Sequence, residues 1–234
     1  MWNVNRTWIG LLMAGLVAAC VGCQNSDGSG GPNGQPDAES PAQITSDPGG
    51  EGGNVAQVNQ TPSPPPPPTI PEVKLTDEHR ATCLAWIGDS MPEAELPALD
   101  GQSYQLGALR GGQVTIVCFW TSGTTPYGRL RTVGMLEDLA RDYGEPFAEK
   151  GVRVIGIYEG DAAELARREV EEAKVQFPIL LDPGGNYFAR VATQKLPRIY
   201  VVDSQAKIRW LDTEYSEITR ENLRQTVEVL LGED

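Results

Sequence analysis

Residues 114–128, V-T-I-V-C-F-W-T-S-G-T-T-P-Y-G, decide the fold, because they join an apolar strand to a helix through one short turn. The run from Val114 to Cys118 favours a strand. A helix is predicted over Pro126 to Tyr143, with Thr125 as its N-cap, a proline at its first position and Gly144 as its end. Its apolar residues at helical spacing are Leu130, Val133, Leu136, Leu139, Ala140 and Tyr143.

Four further segments accompany the strand: I-G-D-S-M-P-E-A-E-L-P-A-L-D-G-Q (87–102), G-V-R-V-I-G-I-Y (151–158), F-P-I-L-L-D-P-G-G (177–185) and L-P-R-I-Y-V-V-D (196–203). With V-T-I-V-C-F-W, they resemble in order and spacing the TlpA/ResA-like and AhpC-TSA (redoxin) branch of the thioredoxin superfamily. The resemblance runs from about Trp86 to the C-terminus. It implies an α/β fold, a thioredoxin-like three-layer sandwich with a central mixed sheet.

The turn departs from that family where the chemistry is expected. The resemblance places Thr124 and Tyr127 at the two positions of the C-x-x-C motif, and Gly123 in place of a tryptophan. Alignment to the peroxiredoxin-like motif T-P-x-C instead leaves Gly128 at the peroxidatic cysteine. A hydroxyl cannot replace a thiolate in disulfide exchange. We therefore predict no catalytic residue here.

A substrate groove is implied by the pair Leu196-Pro197, which resembles the family's cis-proline loop. The alternative is a trans proline that opens a strand. If the loop is retained, the groove is lined by Trp120, Thr124, Tyr127, Leu196 and Pro197. The free N–H groups at the helix start also permit an anion or carboxylate site, and the basic residues expected near it are Lys195, Arg198 and Arg129.

Two cysteines, Cys83 and Cys118, lie within the recognisable domain or just before it. Cys118 ends the apolar strand and is most simply a buried small hydrophobe. Cys83 lies in A-T-C-L-A-W, where packing is again the simple interpretation. A disulfide between them, or a thiol-disulfide oxidoreductase that uses either one, remains an alternative.

No metal site or cofactor is predicted. His79, the one histidine of the chain, lies in the charged run D-E-H-R and is interpreted as solvated. The acids Glu169, Glu171 and Glu172 are interpreted as one exposed helix face, since no Asp/Asn-Gly calcium loop accompanies them.

Residues 1–19 are predicted to be a lipoprotein-type signal peptide, because Trp8 to Ala19 is an apolar run too short to span a bilayer. The following V-A-A-C resembles a bacterial lipobox with Cys20 as the lipidated residue. Cys23 is a poorer candidate, and a plain secretory signal is the alternative. Residues 20–72 are predicted to be a disordered Pro/Gly-rich tether. Within it, the proline run at 64–68 is a stiff spacer rather than an SH3-type ligand.

The folded domain is predicted over residues 73–234. Beyond the elements above, we expect a lead-in helix within 76–86, a hairpin or turn at 103–110, strands at 178–181, 198–203 and 207–212, and helices at 161–175, near 185–193 and at 216–231.

The formal net charge is −13, of which −5 lies in residues 1–72 and −8 in residues 73–234. This argues against binding to nucleic acid or adhesion to an anionic membrane by charge. The sequence therefore predicts a protein of the cell envelope, attached to the membrane only by a lipid, facing the periplasm or exterior. We expect a binding or scaffold role toward an envelope protein or extended peptide.

Overall fold

The computed structural model describes residues 66–232, which contain seven strands and five α-helices. The strands are β1 (Glu95–Pro97), β2 (Ser103–Gln105), β3 (Val114–Trp120), β4 (Val152–Glu159), β5 (Ile179–Asp182), β6 (Arg198–Asp203) and β7 (Ile208–Asp212). The helices are α1 (Asp77–Ala81), α2 (Pro126–Tyr143), α3 (Glu145–Ala148), α4 (Ala163–Glu172) and α5 (Glu217–Leu231).

Five strands form one mixed sheet in the order β5-β4-β3-β6-β7. β3 and β4 are parallel, as are β4 and β5, whereas β6 and β7 run antiparallel to their neighbours. The register pairs Val117 with Ile155 on one side and Cys118 with Ile199 on the other. β3 is central and buried over its whole length, which explains its continuous apolar sequence. The predicted α/β sandwich with a mixed sheet is confirmed.

The two faces of the sheet have separate cores, because successive residues of a strand point to opposite sides. Ile116, Cys118 and Trp120 pack on one face with residues of α2, α4 and α5. Val117 and Phe119 pack on the other face. There the cover is the β1–β2 hairpin and short 3₁₀ segments at Leu106–Leu109 and Phe188–Arg190.

Helix α2 begins and ends where the sequence predicts. The Thr125 hydroxyl accepts a hydrogen bond from the Gly128 N–H at 3.0 Å, and Gly144 follows the last turn. The predicted inward position of Leu130 is wrong, since this side chain is 66% exposed. Met135 is buried in its stead. The first turn lies beyond the end of β3, so no sheet covers Leu130.

Three other predicted elements differ in length. The lead-in helix stops at Ala81, after which Cys83 forms a bridge with Ala192. Helix α4 ends at Glu172, before the predicted end, because Lys174 takes a left-handed φ of 53°. The helix predicted near 185–193 consists of 3₁₀ turns only.

The predicted signal peptide, Cys20, Cys23 and most of the tether lie outside the described residues. Contact with the domain begins before the predicted boundary at Val73, because the Thr69 carbonyl accepts a hydrogen bond from Gln225 at 2.7 Å and Ile70 packs on the core. Among residues 66–232, no helix is long and apolar enough to cross a membrane.

Candidate functional site

A cavity of about 440 Å³ opens beside the turn between β3 and α2. Its walls come from the end of β3, the turn, the first turns of α2, the loop before β6 and the residues before α5. The lining residues are Trp120, Thr121, Ser122, Gly123, Thr124, Gly128, Arg131, Thr132, Met135, Leu196, Pro197, Glu214 and Tyr215. None of these lining residues is a cysteine.

The structure brings four of the five predicted groove residues together around this cavity: Trp120, Thr124, Leu196 and Pro197. Trp120 differs from the expectation, because it is only 1% exposed and forms part of the cavity floor. The fifth residue, Tyr127, is not among the lining residues and is 70% exposed. It lies on α2 three residues before Leu130, so the two form an exposed apolar pair on one helix face.

The peptide bond between Leu196 and Pro197 is cis, which confirms the expectation drawn from the family resemblance. Within residues 66–232, the backbone N–H and C=O of Leu196 make no hydrogen bond. This peptide unit lies at the cavity and is half-buried. It therefore offers one donor and one acceptor to a bound chain.

Gly123 allows the turn to pass close to the start of α2. A Cβ atom at this position would lie 2.4 Å from the Arg129 nitrogen and 2.4 Å from the Gly128 carbonyl carbon, both backbone atoms. No larger residue fits this backbone path. The glycine that replaces the family's tryptophan is thus required by the observed turn.

The indole of Trp120 packs closely against the backbone of Gly156. A Cβ atom on Gly156 of β4 would lie 2.8 Å from the Trp120 ring. Tyr158, two residues further along β4, makes an edge contact with the indole at 5.8 Å between ring centroids. The cavity floor is therefore fixed by the adjacent parallel strand.

Glu169 of α4 is buried, at 2% exposure, and lies beneath the turn. Its Oε2 accepts hydrogen bonds from Trp120 Nε1 at 3.3 Å and from Ser122 Oγ at 3.0 Å. Burial raises the pKa of this carboxyl, and the two hydrogen bonds oppose that rise only in part.

The prediction that Glu169 belongs to an exposed acidic face is wrong, whereas Glu171 and Glu172 are exposed. A signal was present in the sequence. Glu169 falls between Ala166 and Ala173 at helical spacing, and both alanines face the core.

The basic residues expected near the cavity lie elsewhere. Arg129 pairs with Glu172, and Lys195 pairs with Glu78 at 2.8 Å. Arg198 is fully buried on the other face of the sheet. The basic residue that lines the cavity is Arg131, whose Nη2 donates to the Tyr215 carbonyl at 3.3 Å.

Cys118 is a buried core residue, as its place in the strand predicts. It is inaccessible, and its Sγ lies 3.9 Å from the sulfur of Met135. Burial raises the pKa of the Cys118 thiol to about 12. A thiol that stays protonated is a poor nucleophile.

The predicted alternative of a disulfide between Cys83 and Cys118 is wrong. Both cysteines are free, and they pack against opposite faces of the sheet. Cys83 is half-buried, and its Sγ lies 3.2 Å from Nη1 of Arg198.

Arg198 is a buried cation held by neutral groups. Its Nε donates to the carbonyls of Gln194 and Lys195 at 3.0 and 3.1 Å, and Nη2 donates to the hydroxyl of Thr82. No salt bridge to Arg198 occurs within the described part of the chain.

His79 is not simply solvated. It is half-buried in α1, and its Nδ1 lies 3.2 Å from the hydroxyl of Thr213, beyond the end of β7. This contact ties the lead-in helix to the far edge of the sheet.

Comparisons with known proteins agree with this architecture. The thiol-disulfide oxidoreductase ResA of Halalkalibacterium halodurans is 26% identical over 125 residues, which are 53% of this chain and 67% of the relative. A protein of Bacteroides thetaiotaomicron, provisionally assigned as a protein disulfide isomerase, matches with a TM-score of 0.55 and 24% identity over 65% of this chain and 94% of its own. A provisionally assigned thiol:disulfide interchange protein DsbE of Chlorobium tepidum matches with a TM-score of 0.53 and 21% identity over 63% and 99%.

These structural likenesses establish a thioredoxin-like fold. The AhpC/TSA family model matches residues 87–211, which include the turn, the cavity floor and the cis-proline loop. The chain belongs to the AhpC/TSA family.

Proposed function

We propose that this protein is a thioredoxin-like binding protein of the cell envelope that has lost its redox site and captures extended peptide segments in the cavity beside the turn. The observation that carries the proposal is the convergence of Thr124, Leu196 and Pro197 on an open cavity with no cysteine among its lining residues. The cavity lies at the position where disulfide chemistry would require a thiol.

The unbonded peptide unit of Leu196 supports capture of an extended chain. A peptide laid across the cis-proline loop would bond to its N–H and C=O as an added strand does. Tyr127 and Leu130, exposed on the same helix as the lining residues Gly128 and Arg131, would supply apolar contact. Burial of each would contribute about 1 to 3 kcal/mol.

Binding of the full chain to an array of cysteine-free peptides, each of about 10 residues and of random sequence, tests this proposal. We expect Leu196→Asp to lower the affinity for the captured peptides at least about tenfold, because the introduced carboxylate would be buried in the complex without a partner. Leu84→Asp is the matched control, since Leu84 is 55% exposed and outside the cavity lining. Equal effects of the two substitutions, or none, would remove the cavity from the proposal.

A second candidate function is a thiol-disulfide oxidoreductase that uses Cys83, which the short distance to Arg198 favours. Reduction of insulin separates the candidates. We expect no turnover above that of the Cys83→Ser variant, and turnover that disappears in this variant would establish the second candidate.

The proposed site of action depends on the N-terminus. Lipidation of Cys20 after cleavage of residues 1–19 would leave the domain tethered at a membrane surface. Mass spectrometry of the membrane fraction tests this, and an unmodified N-terminus with normal release of the Cys20→Ala variant would exclude the anchor.

A further inference from the structure

A second cavity, of about 580 Å³, lies where the end of α2, α3 and the start of β4 meet the segment that joins α4 to β5. Its volume is in the range of small-molecule sites. It shares no described lining residue with the cavity beside the turn. A ligand of this second cavity is therefore independent of the peptide binding proposed above.

The charged residues that line the second cavity are basic. Arg153 of β4 and Lys174, which follows α4, line it, and none of the lining residues that the structure describes is acidic. The cavity beside the turn differs, since Arg131 and Glu214 both line it. Two cations without an acid are unexpected on a domain whose residues 73–234 carry a formal charge of −8. The second cavity therefore favours an anion.

Neither cation is engaged by another group of the protein. No hydrogen bond, salt bridge or cation–π contact to the side chain of Arg153 or Lys174 occurs within residues 66–232. In this range the basic side chains that lack such a contact are Lys74, Arg153, Arg168 and Lys174. Two of these four line the same cavity. Both cations are therefore available to a ligand.

The backbone at Lys174 takes a left-handed φ of 53°, directly after Ala173 caps α4. Glycine or asparagine adopts this conformation at the end of a helix more readily than lysine does. A lysine side chain can also bond to the last carbonyls of its helix. Within the described part of the chain, Lys174 makes no such side-chain bond. The turn and the helix end thus do not require a lysine, which supports a role for its charge.

An aromatic ring lines the same cavity. Phe177 is half-buried, and a Cβ atom on Gly156 would lie 3.2 Å from its ring. Pro178, the next residue, is exposed and also lines the cavity. The close packing against β4 holds the Phe177 ring in place, so the flat ring of a ligand can pack against it.

We propose that this cavity binds a small aromatic anion, whose ring packs against Phe177 and whose carboxylate or phosphate group pairs with Arg153 and Lys174. The cations supply charge-assisted hydrogen bonds. The ring supplies burial of apolar surface. Because both kinds of residue line one cavity, a neutral ring or an anion without a ring should bind more weakly than a molecule that has both.

Benzoate and phenyl phosphate are the probes that test the site, with benzyl alcohol and inorganic phosphate as controls. Each is titrated into the full chain, and the amide resonances of residues 174–177 are followed by NMR. We expect both probes to bind at least about tenfold more tightly than either control. If one probe alone binds, it identifies the anionic group. A control that binds as tightly as the probes would overturn the ligand class, and probes that shift none of these resonances would overturn the site.

Charge-removing variants assign the binding to the two cations. Arg153→Gln and Lys174→Asn should each lower the affinity for phenyl phosphate about threefold or more. Asparagine is chosen at Lys174 because it keeps the left-handed backbone. Both positions are exposed, so the two variants should melt as the parent does. Arg168→Gln is the matched control, since Arg168 also lacks a partner among the described residues and lines none of the cavities named above. An equal loss of affinity in Arg168→Gln would show that net charge alone attracts the probe, and the assignment would fail.

Discussion

The cavity beside the turn and the cluster around Cys83 meet at the loop before β6, where Leu196 lines the cavity and also packs in the core cluster that contacts Cys83. Each of the two has what the other lacks. The cavity has an opening lined by Leu196 and Pro197, and no sulfur among its lining residues. The cluster has a half-buried thiol 3.2 Å from the buried guanidinium of Arg198. Pro197 and Arg198 are adjacent in the chain, yet Pro197 lines the cavity whereas Arg198 is buried beside Cys83. The cavity and the thiol beside a cation are therefore lined by different residues of this fold.

The largest expected difference between the faces is in thiol reactivity. In the folded chain at about pH 8, Cys118 is inaccessible and its burial raises the thiol pKa to about 12, so it should be alkylated far more slowly than the half-buried Cys83. Iodoacetamide labelling followed by peptide mass mapping measures both rates. Unfolding the chain in urea should make the two rates similar, and similar rates before unfolding would contradict the assignment of Cys118 to the core.

The cluster should also dominate stability. Arg198→Ala leaves the Gln194 and Lys195 carbonyls without their donor and opens space in the core. We expect a loss of about 3 kcal/mol in the free energy of unfolding, measured in urea.

Arg129→Ala is the control, because Arg129 makes an exposed pair with Glu172. It should cost less than about 1 kcal/mol. Equal losses would mean that the buried position of Arg198 carries no special stabilisation.

On the cavity side, the close approach of Gly123 is the sharpest constraint. Gly123→Ala forces a Cβ atom against two backbone atoms of α2, so we expect a loss of about 2 kcal/mol and weaker peptide binding. Gly134→Ala, in the middle of α2, meets nothing within 4 Å and should stabilise the helix by about 0.5 to 1 kcal/mol. Chemical denaturation of the pair measures both, and stabilisation by Gly123→Ala would show that the turn moves freely.

The sequence predicted the elements whose ends are set by local chemistry. Helix α2 was found to its first and last residue because Thr125, a proline and Gly144 act on their own neighbours. Strand β6 was likewise found at its observed bounds. The cis-proline pair and two other cavity residues, Trp120 and Thr124, came from the family resemblance rather than from any periodicity.

The errors at Glu169 and Arg198 share one physical cause, which is contact between segments distant in the chain. The spacing of Glu169 from Ala166 and Ala173 indicated its inward position, but its partner Trp120 lies 49 residues earlier, and no local pattern contains that distance. Arg198 likewise reaches Thr82, 116 residues away, rather than the cavity. The charge of Glu169 suggested exposure to solvent, and the charge of Arg198 suggested an anion site. Partners distant in the chain determine the position of both residues.

The smallest expected effect concerns the pH dependence of stability through Glu169. Burial is the main cause that raises the pKa of Glu169 in the folded state. As pH rises, Glu169 therefore ionises first in the unfolded chain. The folded state then loses stability with pH until its own Glu169 is also ionised. Below the ordinary range of glutamate pKa values, Glu169→Gln and the parent should be equally stable. Above it, the variant should melt at the higher temperature, and the gap should widen with pH and then level off. Thermal melting of both proteins, with Glu171→Gln as the control for charge, measures this gap. A gap independent of pH would mean that the amide alters packing alone, and a parent that melts higher at neutral pH would show that Glu169 is stabilised as a carboxylate by its donors.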